Sequence, residues 1–342
     1  MKQFLILIVL VLAGCSSGEP EQTPEEIIAQ VNVSGTISDE QAERLVNSTG
    51  WLELSGLTSI TDEQAKILGK AQDGLGLDRL TSVTDQQAGS LSKVENLALN
   101  GLTSITDAQA ESLSKVETLF LNGLTSITEE RAEILSQVEE LYLCGLTSIT
   151  DQQAEILSKV PRLDLNGLSS ITDKQAESLS EVGSLSLNGL SSITDKQTES
   201  LSKISYYLGL NGVSFISEEQ TESLCEVQSV SLNGLTSITD KQAESLSKCS
   251  GLEINGLISI TNDQAESLRE VQGLSLTGLS SITNEQAESL SKVGYYLILT
   301  GLTSITDEQC ASLSKVDVSL SEACQKLIDK HKAANINTTY GP

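Results

Sequence analysis

Side chains that could act in covalent or metal chemistry are scarce in this sequence. The chain of 342 residues has a single histidine, His331, near its end. A Ser-His-acid triad among the preceding residues is therefore excluded, and a Cys-His pair would have to use His331. The cysteines show no paired metal-ligand spacing, and the glycines form no phosphate-binding loop. The sequence predicts a non-enzymatic protein with no catalytic residues, no cofactor and no metal site.

The side chains best suited to contacting a ligand interrupt a repeated pattern of small residues. The predicted contact residues are Trp51, Phe120, Tyr142, Arg162, Asp164, Tyr207, Tyr296 and Ile298, with Glu53 and Glu253 at comparable positions. Equivalent positions elsewhere carry Ala98, Ser186 or Ser231. Because only 3% of the chain is aromatic, large rings at exposed positions indicate a contact surface. Cross-strand packing without any ligand is the alternative explanation.

These residues belong to a unit that recurs along almost the whole chain. Successive copies lie 22 or 23 residues apart, as from Leu102 to Leu124 and from Leu57 to Leu80. The equivalent anchors are Leu57, Leu80, Leu102, Leu124, Leu146, Leu168, Leu190, Val213, Leu235, Leu257, Leu279 and Leu302. A fixed period of this length is typical of a solenoid, in which each unit packs mainly on its neighbours.

Each unit predicts a short strand followed by a short helix. In Leu119-Phe120-Leu121 the alternation directs both leucines inward and Phe120 outward. An Asn-Gly pair, which tolerates positive φ, follows in most copies. Thr106 and Gln109 then have the spacing of a capping box, which begins a helix. Strands stack at about 4.8 Å and helices at about 10 Å, so we expect the stack to curve, with its strands on the concave side.

The pattern Leu-x-Leu-x-x-Leu-x-x-Ile-Thr-Asp resembles leucine-rich repeats, and it is most similar to their cysteine-containing subclass. The resemblance covers roughly residues 31–320. It implies an α/β fold: a curved right-handed leucine-rich-repeat solenoid, with a parallel sheet on the concave face and short helices on the convex face. The Cys or Asn position of that family holds Leu124 and its equivalents here. We therefore expect apolar contact to replace the family's ladder of side-chain-to-backbone hydrogen bonds.

The N-terminus resembles that of a bacterial lipoprotein. Lys2 precedes the apolar run 4–12, which is too short to span a bilayer and is typical of a secretory signal. The Leu-Ala-Gly-Cys sequence ending at Cys15 is similar to a lipobox, which implies cleavage after Gly14 and acylation of Cys15. Ser16 at the next position implies export to an outer membrane. An ordinary cleavable signal with an incidental cysteine is the alternative.

The predicted organisation has five parts. These are a signal peptide (1–14), a lipid-anchored tether (15–26), an N-terminal capping repeat (27–46), the leucine-rich-repeat solenoid (47–316), and a C-terminal cap helix with a tail (317–342). The capping repeat includes a shortened unit beginning at Val31, and terminal units of such arrays are usually atypical. The cap helix is expected from about Ser321 to Ala333, where apolar residues fall on one face.

Five cysteines follow Cys15, so at least one remains unpaired or bonds outside the chain. Cys225 and Cys249 lie near the helix ends of adjacent units, and Cys310 is placed to face Cys324 under the cap. Both are possible disulfides in an exported protein. Small buried thiols are the alternative for several of them.

The net charge of −26 repels phosphate backbones, so we expect no nucleic-acid partner. Such a surface can attract basic partners or divalent cations. The sequence predicts a lipoprotein anchored in the cell envelope, at the outer membrane. Its concave face would bind a protein or another envelope macromolecule, and the lipid anchor would be its only membrane contact. A structural envelope component without a specific ligand is the alternative, because the units are nearly identical.

Overall fold

The computed structural model describes residues 22–48 and 50–339. Within them thirteen strands form one sheet, and fifteen helices connect or flank the strands. The strands are β1 Trp51–Glu53, β2 Gly74–Gly76, β3 Asn96–Ala98, β4 Thr118–Phe120, β5 Glu140–Tyr142, β6 Arg162–Asp164, β7 Ser184–Ser186, β8 Tyr207–Gly209, β9 Ser229–Ser231, β10 Gly251–Glu253, β11 Gly273–Ser275, β12 Tyr296–Leu299 and β13 Val318–Leu320. The helices are α1 Pro24–Ser34, α2 Asp39–Leu45, α3 Asp62–Leu68, α4 Asp85–Leu91, α5 Asp107–Leu113, α6 Glu129–Leu135, α7 Asp151–Leu157, α8 Asp173–Leu179, α9 Asp195–Leu201, α10 Glu218–Leu224, α11 Asp240–Leu246, α12 Asn262–Leu268, α13 Asn284–Leu290, α14 Asp307–Leu313 and α15 Glu322–Thr339.

The strands follow one another across the sheet in chain order, and each pair is parallel. Leu97 pairs with Leu119, and Leu119 pairs with Leu141, so equivalent residues form columns that run from unit to unit. This arrangement confirms the predicted α/β leucine-rich-repeat solenoid. We call the exposed side of the sheet the strand face, and the exposed side of the helices the helix face.

The core is a continuous apolar layer between the sheet and the helices. Leu119, Leu121 and Leu124 of the strand side are at most 1% exposed, and Ala110 and Leu113 of the helix side are fully buried. Every repeat contributes the same positions, so the inward alternation predicted for each strand is confirmed. Because no helix of seven residues is stable alone, each depends on this shared layer.

A glutamine at the third position of the helix joins neighbouring units. In α5, Gln109 accepts a hydrogen bond from the backbone N–H of Thr106 (2.9 Å) and donates through Nε2 to the carbonyl oxygen of Val83 in the preceding unit (2.7 Å). The same bond to the preceding unit is made by Gln64, Gln87, Gln153, Gln175, Gln197, Gln220, Gln242, Gln264, Gln286 and Gln309. Arg131 holds this position in α6 and instead pairs with Asp107, with 2.8 Å between Nε and Oδ1.

The expected loss of a side-chain-to-backbone ladder is wrong. Asn100 Oδ1 accepts from the backbone N–H of Asn122, and Asn122 Oδ1 accepts from that of Cys144, each at 3.0 Å. Further bonds of this kind involve Asn166, Asn188, Asn211, Asn233 and Asn255. The asparagine before each turn thus accepts a hydrogen bond from the equivalent backbone N–H of the next unit. This asparagine precedes by two residues the leucine on which the expectation was based.

The sequence suggested that the glycine of the Asn-Gly pair provides positive φ. In the structure it instead allows the backbones of adjacent turns to approach each other closely. Among the described residues, only Gly35 and Gly50 are glycines with positive φ. A Cβ atom on Gly123 would lie 2.2 Å from the carbonyl oxygen of Asn100 in the preceding unit. Any side chain here would therefore force adjacent turns apart.

Both ends of the array differ from the expected detail. The segment around Val31 forms helix α1 and not the start of a shortened unit, because Thr23 and Glu26 form a capping box and Pro24 occupies the first turn. At the other end, β13 adds one more strand before the cap helix α15. Helix α15 extends to Thr339, beyond the expected end at Ala333.

Candidate functional site

The predicted contact residues occupy the first or third position of their strands, where side chains point to the strand face. Trp51, Arg162 and Tyr296 are exposed, and the others are half-buried. Their positions are Trp51 in β1, Phe120 in β4, Tyr142 in β5, Arg162 and Asp164 in β6, Tyr207 in β8, and Tyr296 and Ile298 in β12. The strand register therefore separates them into a group spanning β1–β8 and a pair on β12.

Three rings near the N-terminal end form a continuous surface, which we call the aromatic patch. Phe120 and Tyr142 stack with their centroids 4.2 Å apart and an interplanar angle of 21°. The edge of Trp51 meets Phe120 at 6.0 Å and 88°. Trp51 reaches across two strands because β2 offers glycine: a Cβ atom on Gly74 would lie 2.4 Å from Cε3 of Trp51. A bond of 3.0 Å from Trp51 Nε1 to Glu53 Oε2 holds the indole.

A cleft of about 410 Å³ adjoins the aromatic patch, and we call it the tyrosine cleft. It is lined by Tyr142, Arg162, Leu163, Asp164, Ser184, Ser186, Tyr206 and Tyr207. The serines of β7 and Leu163 of β6 form its floor, and tyrosines of β5 and β8 form its sides. The cleft exists because the two outward positions of β7 hold small residues while the strands around it hold large ones.

One pair of charges in the tyrosine cleft is internally balanced. Arg162 Nη1 lies 2.6 Å from Glu140 Oε1 on the neighbouring strand. The hydroxyl of Tyr142 donates to the other carboxylate oxygen of Glu140 at 3.3 Å. Burial raises the pKa of Tyr142, and the neighbouring Glu140 raises it further. The Tyr142 hydroxyl is therefore a neutral donor at physiological pH.

Asp164 accepts three hydrogen bonds. Its Oδ1 accepts from Cys144 Sγ at 3.1 Å and from the backbone N–H of Asn166 at 3.0 Å, and its Oδ2 accepts from Asn166 Nδ2 at 2.8 Å. Burial raises the pKa of Asp164, and the bonds from Cys144 and Asn166 oppose that rise. Burial, together with Asp164, raises the pKa of Cys144 to about 12. This thiol is a donor to the carboxylate and a poor nucleophile.

Two further contact residues lie apart from this group. Tyr296 and Ile298 are on β12, four strands beyond Tyr207. The Tyr296 ring lies over Gly273, where a Cβ atom would come within 2.4 Å of Cε1. The structure therefore does not bring Tyr296 or Ile298 to the tyrosine cleft.

One aromatic residue of the cleft is not among the contact residues predicted from the sequence. Tyr206, which lines the cleft and is 63% exposed, precedes β8 and lies outside the alternating positions that were considered. The signal was present, because the unit containing Tyr206 is 23 residues long, from Leu190 to Val213, where most are 22.

Only one of the two expected disulfides forms. Cys225 and Cys249 form a disulfide between adjacent units, which confirms the first pairing. The second is wrong, because Cys310 and Cys324 are separate buried thiols. In helix α15 Cys324 instead directs Sγ to the carbonyl oxygen of Leu302. Cys15 and the signal sequence lie outside the described residues.

In residues 22–48 and 50–339, no three His, Cys, Asp or Glu side chains are grouped as metal ligands. Over the same part of the chain, no helix has the length and apolar character needed to cross a membrane.

Comparisons with known proteins gave a structural resemblance only. No family model matches the sequence. No curated protein matches it either. Among solved structures, the chain is similar to an internalin from Listeria monocytogenes str. 4b F2365, at 16% identity and a TM-score of 0.45, over 86% of this chain and 91% of that one. The recurring sequence unit and the consecutive parallel strands are what identify the fold as a leucine-rich-repeat solenoid.

Proposed function

We propose that this protein is a lipid-anchored scaffold of the cell envelope that binds another protein through its strand face. The observation that carries the proposal is the continuity of the aromatic patch with the tyrosine cleft, from β1 to β8. In this role the chain acts by binding, without a catalytic step or a cofactor. The partner could also be another macromolecule of the envelope.

The aromatic patch has the composition of a binding surface. Trp51 remains 43% exposed, although burial of an aromatic ring is among the larger contributions to the stability of an interface. Tyr142 belongs both to the stacked pair and to the cleft. A partner that covered these rings would gain apolar contact beside a concave feature that can receive one of its side chains.

The helix face has a different character. It carries exposed glutamates such as Glu177 and Glu199 at repeat-equivalent positions, and exposed ion pairs such as Lys159 with Glu133. Pairs of this kind contribute little to stability or binding, on the order of 0–1 kcal/mol. We therefore assign the helix face to solvent and the strand face to the partner.

The envelope location rests on two separate features. The lipobox-like sequence ending at Cys15 favours export and acylation. The disulfide between Cys225 and Cys249 is consistent with an oxidising compartment, where such bonds persist. Intact-mass measurement of the membrane-extracted protein tests this: we expect a chain beginning at Cys15 with attached acyl groups. A Cys15→Ala variant that still partitions with membranes would contradict the anchor.

Binding is tested by capture from an envelope extract. A Phe120→Ser/Tyr142→Ser variant should lose the partners that the unaltered protein captures, because the stacked rings are removed. The matched control is Glu177→Ser/Glu199→Ser on the helix face, which should capture the same partners as the unaltered protein. Identical capture by all three proteins would overturn the role of the aromatic patch.

A structural role without a specific ligand is the second candidate, favoured by the near identity of the units. Deletion of residues 99–142 removes two whole units in phase, together with Phe120 and Tyr142. A structural component should tolerate the shorter array. A binding scaffold should lose its partner while remaining folded.

A further inference from the structure

The geometry of the tyrosine cleft points to a specific occupant: we propose that it receives the cationic side chain, lysine or arginine, of a basic protein partner. This inference rests on the proposed function and names the chemistry of the partner at one site. It is carried by the unpaired carboxylate of Asp164, the tyrosines on either side, and the charge of the strand face.

Asp164 has no cationic partner among the described residues. The structure places it on β6, inside the cleft, with three hydrogen-bond donors around its two oxygens. In the part of the chain that is described, no lysine, arginine or histidine forms an ion pair with Asp164. Because a partly buried carboxylate without a counter-charge is costly, an arriving cation is stabilised there more than at an exposed acid.

Arg162 does not supply the missing charge. Its guanidinium is directed to Glu140, 2.6 Å away on β5. Arg162 and Glu140 balance each other, so the cleft as a whole retains the negative charge of Asp164. A cation can therefore enter without meeting net repulsion.

The tyrosines add a second attraction for a cation. Phe120 stacks on one side of Tyr142, which leaves the other side of that ring for the cleft. Tyr207 is on β8, three strands away from Tyr142, or about 14 Å at ordinary strand spacing. Tyr206 and Tyr207 therefore border the opposite side of the cleft. Ring faces attract ammonium and guanidinium groups, and the attraction grows when water is excluded.

The charge of the strand face favours the same kind of ligand. Arg162 is the only basic residue within the thirteen described strands, whereas Glu53, Glu140, Asp164 and Glu253 are acidic. This excess steers cations toward the face. A neutral saccharide could stack on the same tyrosines, but it would cover Asp164 and leave its charge unpaired. The observations therefore favour the cationic side chain.

The test uses small probes and NMR of the full chain with labelled tyrosine rings, of which there are six. Nα-acetyl-arginine amide and Nα-acetyl-lysine amide should shift the signals of Tyr142 and Tyr207 saturably. Nα-acetyl-citrulline amide, which has nearly the shape of arginine but no charge, should bind at least about tenfold more weakly than arginine amide. Maltohexaose serves as the saccharide probe and should leave these signals unchanged.

Two variants assign the effect to the cleft. Asp164→Asn should lower the affinity for arginine amide by about tenfold, because it removes the charge while keeping the shape of the side chain. Tyr207→Ser should lower the same affinity by about threefold, because it removes an aromatic ring. Glu177→Gln removes one charge from the helix face, away from the cleft, and should keep the affinity within about twofold. Melting curves followed by circular dichroism confirm that each variant is folded.

We call the proposed cation-binding site around Asp164 in the tyrosine cleft the socket. The results distinguish this socket from the general role of the strand face in binding a partner. Equal binding of arginine and citrulline amides, or an unchanged affinity in a folded Asp164→Asn variant, overturns the socket. Tighter binding of maltohexaose than of arginine amide overturns it in favour of a saccharide site. If capture from the envelope extract depends on Phe120 and Tyr142 but not on Asp164, the proposed function stands and the socket fails. If arginine amide binds at Asp164 but capture never depends on the patch, the proposed function fails instead.

Discussion

The side-chain nitrogen of Gln109 lies 2.7 Å from the carbonyl oxygen of Val83, in the preceding unit. The same amide accepts from the N–H at the start of its own helix, at Thr106. One side chain therefore completes the beginning of a helix and bonds two units together. Gln109 is only 8% exposed, so both bonds are shielded from water. Because the stability of a solenoid depends on contacts between neighbouring units, this residue type should matter more than its polarity suggests.

The first prediction compares two residues at this position. Gln175→Ala should lower the free energy of unfolding by about 2 kcal/mol, because it leaves the N–H of Thr172 and the carbonyl of Ile149 without their partner. Arg131→Ala should cost less than about 1 kcal/mol, because it removes only an ion pair with an exposed aspartate. Urea denaturation followed by circular dichroism measures both. Equal losses would show that the glutamine bonds do not stabilise the array.

The second prediction concerns the position of Trp51, the single tryptophan of the chain. Gly74→Ala should displace the indole from β2, because the new Cβ would come within 2.4 Å of Cε3. The expected result is a changed tryptophan emission spectrum in the folded protein, as the edge contact with Phe120 is lost. Gly89→Ala is the control: a Cβ there meets nothing closer than 3.7 Å, so the emission should be unchanged.

The third prediction concerns the reactivity of Cys144. Burial and the adjacent Asp164 hold its pKa at about 12, so at neutral pH almost none of this group is the reactive thiolate. Native-state alkylation with iodoacetamide, mapped by peptide mass spectrometry, should label Cys144 far more slowly than the same residue in urea. Asp164→Asn should speed the native reaction, because it removes the charge that disfavours the thiolate. Rapid native labelling of Cys144 would contradict the contact between Cys144 and Asp164.

The repeat itself was sufficient to predict the architecture, because every unit carries the same information. The alternating leucines, the capping boxes and the period fix the strand, the helix and their order. The proximity of Phe120 and Tyr142 also follows from the sequence, because residues at equivalent positions of consecutive units are neighbours about 5 Å apart across a sheet. Their ring centroids lie 4.2 Å apart.

Features that depend on the junction between units were harder to predict. The ladders of Asn122 and Gln109 join each unit to the preceding one, so their partners are distant in sequence and are set by the register. The reach of Trp51 to Phe120 depends on the absence of a side chain at Gly74, in the first of the two strands between them. The tyrosine cleft likewise arises from small residues between large ones, which a search for large residues alone cannot locate.

The ends were predicted least well, because they lack the repetition that guides the interpretation of the centre. At Val31 the apolar alternation suggested the start of a unit, but local capping at Thr23 and Glu26 favours the helix α1. Cys310 and Cys324 were paired by their expected proximity. Proximity alone does not establish the geometry that a disulfide requires.

The last prediction concerns the dependence of stability on pH at Asp164. Burial raises the folded-state pKa of this carboxyl above the ordinary value of 3.8, so the folded state holds its proton more tightly than the unfolded state. The stability that the protonated form provides is complete below the unfolded pKa, and it is lost as the pH rises through the folded pKa. Asp164→Asn cannot titrate. The free energy of unfolding of the unaltered protein should therefore fall relative to that of Asp164→Asn as the pH rises from about 3 to about 7.

Taking the difference between these two proteins removes the titration of the other carboxylates, which are the same in both. The thiol of Cys144 and the hydroxyls of Tyr142 and Tyr207 stay neutral throughout this range, since their pKa values are raised. Denaturant unfolding at intervals across the range gives the difference curve. Arginine amide should flatten the curve, because a bound cation favours the ionised carboxylate. A flat difference without the probe, or one that rises with pH, would show that Asp164 is already compensated in the folded chain, and the reason for a cation to enter the tyrosine cleft would be lost.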